Sequence, residues 1–424
     1  ADPNAVWGMT QAAPELVHWL LKLGVKFNMS GYDDVDLRNF GGQKKKRTAF
    51  AQSDTGKQIM TAMIDAVRRK EASGMVERFS HHSFLTLRLC GNICCGCVIR
   101  DEYSQETVEL PGDAVIVATG GMHGLFGNTT GSLSNTGEVT AELFRLGVPL
   151  ANGEMIQYHP TTVKCGGKRM LISEAARGEG GRLFAMKDGK QWYFMEEKYP
   201  ELGNLMPRDI TAREIWKVSH ESEVFLDMTE ISEEIISNKL SGLADDCMTY
   251  LHKDIRKEPV SVLPGIHYFM GGILVDEQHR TPIQNLYAAG ECCAQYHGAN
   301  RLGGNSLLGA LYGGRVAAKS ACEQADVVDL SCATQIDFPP ASQISEIKQL
   351  NKVMQETMGV VRNENTLLNG IQTVQALTGN LPLLGMAVLK SALARKESRG
   401  AHWREDYPKS NDNDYLKTTV ARFD

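Results

Sequence analysis

Apolar residues recur at helical spacing from Pro14 to Phe27, where Leu16, Val17, Trp19, Leu20, Leu23 and Val25 share a face and Gly24 stands where a helix would stop. A second amphipathic helix is predicted over Gly56 to Glu71. The period then changes to two. Alternation in FLTLRLCGNICCGCVIRD, with Gly91-Asn92 between its halves, predicts a β-hairpin. The runs DAVIVATGG (113–121) and TPIQNLYAAGE (281–291) read as short buried strands, one closing on Gly-Gly and the other on Gly-Glu. Between them, 151–268 reads as loops and short helices of mixed polarity, an inserted domain rich in candidate chemical groups and poor in sheet signals. A helix with small residues on its packing side, LLGALYGGRVAAKSACEQA, follows Asn305-Ser306, and Pro339-Pro340 marks a boundary. The remainder is predicted to be helical through ISEIKQLNKVMQETM, TLLNGIQTVQAL and MAVLKSALARKES, with a polar tail.

Composition narrows what such a chain can do. Its 424 residues amount to two to three domains at ~150 residues each. The 45 basic and 51 acidic residues leave a net charge of −6, which offers no general attraction for nucleic acid or an anionic membrane. No apolar run reaches the roughly 18 residues of a membrane helix, and ADPNAVWGMTQ lacks the basic start and apolar stretch of a signal peptide, so a cytoplasmic protein is expected. Ten cysteines, several adjacent, suit a reducing compartment. The spacing of Cys90, Cys94, Cys95 and Cys97 is not a usual zinc or iron–sulfur pattern, so they read as strand cysteines and no metal is expected.

Strands that end in Gly-Gly or Gly-Glu suit a sheet with a cofactor across its carboxyl edge, because side chains there would block close backbone approach. The acidic residue after such a glycine, Glu291, can accept from ribose or ribityl hydroxyls. In HGANRLGGNSLL, Gly303 and Gly304 precede Asn305-Ser306, placed at a helix N-cap where backbone N–H groups and the helix dipole can face an electron-rich ring edge.

Together these residues resemble the flavoprotein subunits of fumarate reductase and succinate dehydrogenase, with L-aspartate oxidase as a relative. The resemblance spans Asp2 to Asp424 and rests on FGGQ (40–43), ATGG (118–121), NTGE (135–138), YHPT (158–161), SEAARGEGG (173–181), PRD (207–209), HYFMGG (267–272), AAGE (288–291), HGANRLGGNSLL (297–308) and ESRGAH (397–402). It implies an α/β fold, α+β overall: a Rossmann-like FAD-binding domain in two segments, 1–150 and 269–338, interrupted by a capping domain at 151–268 and followed by a helical domain at 339–424. It implies FAD as cofactor, held by Ala118, Thr119, Gly120, Gly121, Glu138, Gly290, Glu291, Asn305, Ser306 and Leu307. It also implies a fumarate or succinate substrate, an iron–sulfur electron-transfer subunit as partner, and membrane contact only through partner subunits at the inner face of the cell membrane.

Reducing such a dicarboxylate requires clamping two carboxylates, delivering hydride from flavin N5 to one alkene carbon and protonating the other. The resemblance assigns the clamp to His159, Ser173, His267 and Arg301, and a guanidinium matches a carboxylate bidentately as lysine cannot. On its residues alone Arg208 reads as a third clamp. The resemblance makes it the proton donor, supplied by Glu174 and Arg177, whose i, i+3 spacing lets them pair on a helix.

Some positions depart from the family pattern. Glu138 replaces an aspartate, Phe269 a small polar residue (a tighter or more apolar pocket is expected), and Ser173 a threonine, with the hydroxyl kept. Phe40 stands where L-aspartate oxidases carry a glutamate that reads the substrate amino group, which favours an unsubstituted dicarboxylate. Residues 1–60 hold no G-x-G-x-x-G and no flavin-attaching histidine, so Ala1 is read as the cut edge of a larger flavoenzyme. L-aspartate oxidase and a non-catalytic dicarboxylate-binding remnant are the alternatives.

Overall fold

The computed structural model describes residues 1–32, 34–325, 327, 336, 338–339 and 343–423. The first helix, Pro3–Lys22, begins well before the predicted Pro14. Asp2 accepts from the N–H groups of Asn4 and Ala5, and Pro3 occupies the first turn, where a missing N–H costs nothing. Pro14 therefore lies inside the helix rather than at its start. The second helix, Thr55–Ala72, and the hairpin of strands His82–Cys90 and Ile93–Asp101 lie where the pattern placed them. Cys94 and Cys95 are buried in that hairpin, and burial pushes the Cys94 thiol up to about 11, which keeps it protonated.

Strands Val115–Val117 and Leu286–Ala288 pair in parallel, Ala288 opposite Val117, so both glycine motifs emerge at one carboxyl edge. The helix Asn305–Gln324 packs nearby through Gly309, Gly313, Ala317 and Ser320. A Cβ on Gly313 would come within 2.7 Å of the His279 ring, so the close approach depends on that small stripe.

The region 151–268 is richer in sheet than its sequence suggested. It holds a four-stranded sheet built from Arg182–Lys187, Lys190–Trp192, Val224–Asp227 and Val260–Ser261. The long strand Ile156–Cys165 pairs with Lys168–Leu171 and Leu263–Phe269. Several of these strands are too short for visible alternation, and the longest spends its inward positions on polar residues. A core from Ile172 through Leu183, Phe194, Ile215 and Leu226 to Val260 unites the region. A second core joins Phe126, Phe144, Ile156 and Ile266 to the helices Ile344–Thr357, Glu364–Val374 and Asn380–Ala394. Pro340 of the expected boundary lies outside the described residues. Among the described residues no helix is long and apolar enough to cross a membrane.

Candidate active site

His159 and His267 come from neighbouring antiparallel strands. Gly265 pairs with His159, Ile266 with Tyr158 and Tyr268 with Gln157, so His267 is the extra residue of a bulge. A bulge re-aims its side chain, and here the two imidazoles meet edge to face at 5.3 Å between ring centroids. His159 Nδ1 lies 3.2 Å from the Thr161 N–H, which it can accept, while its Nε2 is buried without a partner among the described residues. Thr130 Oγ1 lies 2.8 Å from His267 Nδ1. Burial, then Arg208, holds the His159 pKa well below the usual histidine value. Burial, then Arg301, does the same to His267, so both rings are neutral at neutral pH.

Ser173 caps the short helix Glu174–Gly178 by accepting from the Ala175 N–H at 3.2 Å, which leaves its own hydroxyl proton to donate elsewhere. Glu174 is fully buried among donors. Oε1 accepts from Arg177 Nη2 at 3.1 Å and from the Gly41 N–H at 3.2 Å. Arg208, the first residue of the helix Arg208–Val218, donates Nε and Nη2 to Oε2 of the same carboxylate. Burial alone would raise this carboxyl, but Arg208 and Arg177 overrule it and hold the pKa at about 2.

Arg301 is buried beneath Tyr268, its guanidinium carbon 4.5 Å from the ring centroid. Nη1 donates to Ser306 Oγ at 3.0 Å, while Nε and Nη2 are buried without partners among the described residues. Burial, then Arg208, pulls its pKa down to about 9. Three guanidinium groups (Arg177, Arg208, Arg301) outnumber the one fully buried carboxylate, Glu174, and Glu291 faces Arg301 from the cavity side, so the cluster carries excess positive charge.

Beside it lies a cavity of about 320 Å³, whose lining includes His123, His267, Tyr268, Glu291, Ser306 and Leu307. The helix Asn305–Gln324 opens here with no side-chain cap. Gly304, at φ +83°, is the N-cap, and Asn305 and Ser306 are the first two residues inside the helix rather than the cap itself. The first-turn amides of Ser306 and Leu307 thus belong to residues on the cavity wall. Glu291, in the turn Gly290–Cys292, accepts the Phe269 N–H on Oε1 at 3.0 Å.

The glycines of ATGG serve neighbouring side chains. A Cβ on Gly120 would lie 2.6 Å from Asn135 Nδ2, and one on Gly121 2.7 Å from both Glu291 Oε1 and the Phe269 ring. Phe269 is buried between His123 and Phe126 and is not among the residues that line this cavity. Phe40 packs where a Gly303 Cβ would come within 2.7 Å. Ala118 and Thr119 are exposed beyond their strand, and Glu138 starts the helix Glu138–Arg145, its carboxyl raised by burial and then Glu142. These three stand apart from the cavity wall.

Two participants escaped the sequence. Gln157 is fully buried, accepts from Arg208 Nη1 at 3.2 Å and donates to the Arg301 carbonyl at 2.7 Å. Its signal was the period of two that puts it on the face of His159. His123 has no such marker.

Residues 1–307 match a family profile described as FAD binding domain, and 378–424 one described as fumarate reductase flavoprotein C-term. The succinate dehydrogenase flavoprotein subunit of Bacillus subtilis is 36% identical across 100% of this chain and 81% of its own length. The L-aspartate oxidase of Pyrococcus furiosus is 32% identical across 99% of this chain and 84% of its own. Among solved structures, an E. coli quinol fumarate reductase FrdA variant superposes with a TM-score of 0.88 at 26% identity, covering 99% of this chain and 82% of that one.

Proposed function

This chain belongs to the FAD-dependent flavoprotein family of succinate dehydrogenase and fumarate reductase subunits, and we propose that it interconverts fumarate and succinate as the catalytic subunit of an electron-transfer complex with an iron–sulfur partner. The observation that carries this reading is the excess buried positive charge beside two donors of Arg301 and a ring nitrogen of His159 that have no partner among the described residues. Unpaired buried polar atoms are costly, and a dicarboxylate satisfies both the charge and the hydrogen bonds.

Its cofactor is FAD, and the cavity residues fit that group. The uncapped first turn at Ser306 and Leu307 offers backbone donors to an electron-rich edge, and Glu291 offers an acceptor to sugar-chain hydroxyls. Bound there, the flavin supplies or accepts the hydride. In this reading Arg301 takes one substrate carboxylate bidentately, while His159, His267 and the Ser173 hydroxyl hold the other as neutral donors. Arg208 protonates the carbon that does not receive hydride. Glu174, anionic at rest, and Arg177 return the proton from outside, and Gln157 fixes the third corner of the Arg208 guanidinium. Residues 151–268 cap the flavin domain and exclude water from this step.

Oxidation of L-aspartate is the second reading, supported by the Pyrococcus furiosus relative. It requires a group for the substrate ammonium, and the apolar Phe40 weighs against it. The test is fumarate reduction by the FAD-loaded protein with a reduced viologen dye. Activity that falls at least a hundredfold in Arg208→Ala is expected. Full FAD binding without fumarate turnover, or peroxide release with aspartate, sinks the proposal.

A further inference from the structure

His123 occupies the turn His123–Leu125 just after the ATGG motif and is buried on the wall of the cavity. Its ring cannot swing. It packs edge to face on Phe269 at 4.9 Å, and the Gly131 backbone is so close that a Cβ there would come within 2.4 Å of the ring. Nδ1 lies 2.9 Å from Thr129 Oγ1, an oxygen that already accepts the Gly131 N–H at 3.2 Å. A Thr129 hydroxyl that donates to Nδ1 puts the ring hydrogen on Nε2. Nε2 lies 3.5 Å from Glu291 Oε1, the oxygen that also takes the Phe269 N–H.

We propose that His123 is a positioning residue of the flavin site. Its Nε2 edge abuts Oε1 of Glu291, the oxygen that the Phe269 amide occupies, and leaves Oε2 to meet a cofactor hydroxyl. Thr129 sets the tautomer, Phe269 and Gly131 set the ring plane, and Glu291 receives the result. The inference rests on the reading above that Glu291 contacts FAD, and it extends that reading to a residue with no part in the substrate clamp.

The experiment measures FAD dissociation constants by quenching of flavin fluorescence on the flavin-free protein, for the wild type, His123→Phe, His123→Gln, Glu291→Gln and the double variant His123→Phe/Glu291→Gln. Phenylalanine keeps the ring packing and removes the donor, and the dissociation constant is expected to rise about tenfold. Glutamine places an amide N–H near the Nε2 position and is expected to return affinity to within about threefold of the wild type. The double variant is expected to bind no more weakly than Glu291→Gln alone, because the two residues act through one contact. The thermal midpoint of flavin-free His123→Phe should match that of the wild type. Wild-type affinity in His123→Phe, affinity in His123→Gln as weak as in His123→Phe, or additive losses in the double variant would overturn the inference. Absent fumarate turnover with this binding pattern intact would overturn the proposed reaction and leave the role of His123 standing.

Discussion

Arg208 donates both Nε and Nη2 to a single oxygen of Glu174, Oε2, at 2.9 and 2.6 Å. The other oxygen is left to Arg177 and the Gly41 amide, so one carboxylate orients two guanidinium groups. Glu174→Gln retains the shape and removes the charge. Fumarate reduction at saturating substrate is expected to fall about a hundredfold or more, with KM changed much less. Steady-state kinetics that show a KM effect alone would place Glu174 in binding rather than proton delivery.

Arg301 has two buried donors with no partner among the described residues. Arg301→Lys keeps the charge and loses the fork, so KM for fumarate is expected to rise about 10- to 100-fold. Succinate or malonate inhibition should weaken in parallel. An unchanged inhibition constant would remove Arg301 from the clamp.

His159 and His267 are held neutral in the folded state, mainly by burial, with pKa values well below 6.5. The unfolded chain binds protons at these positions more readily, so their contribution to stability is present above about pH 6.5 and declines as pH falls below it. Thermal midpoints of the ligand-free protein should drop between pH 7 and pH 5. The drop should be smaller in His159→Gln, which has one fewer neutral-buried histidine. A wild-type midpoint that is flat over this interval would contradict the neutral assignment.

Glu154 and Arg395 form a buried pair at 2.6 Å, with Glu397 bridging Arg395 and Arg399. Arg395 also reaches the carbonyls of Tyr415 and Lys417, and so fastens the chain that leads to the strand Val420–Ala421. Glu154→Ala would remove one of the two carboxylates paired with the buried Arg395 guanidinium and is expected to cost about 1–3 kcal/mol of stability, measured by urea unfolding. Glu154→Gln should cost less, because Thr419 keeps its acceptor.

Where side-chain type and spacing both carried meaning, the sequence was informative. The Gly91-Asn92 hairpin, the two glycine-ended strands and the Glu174–Arg177 pair are all found in the structure. Helix starts were harder: the apolar run points to a start at Pro14, but Asp2-Pro3 carries the start signal, a capping carboxylate before a first-turn proline. The sheets within 151–268 were hidden because their longest strand is occupied by Gln157, His159 and Thr161, which break the apolar rhythm that a strand normally shows. His123 was invisible for a different reason. Its meaning depends on Glu291 and Thr129, and only the fold brings the former within reach.

Gln157 touches Arg208 through its oxygen and the Arg301 backbone through its nitrogen. One amide therefore serves as a spacer between the proposed proton donor and the proposed anchor of the far carboxylate. Its length cannot stretch, so in the proposed reaction it would act as a gauge for the carbon skeleton. A four-carbon diacid would present its alkene opposite Arg208, whereas a five-carbon homologue held at the same anchor would carry its reactive carbon out of register by about one bond.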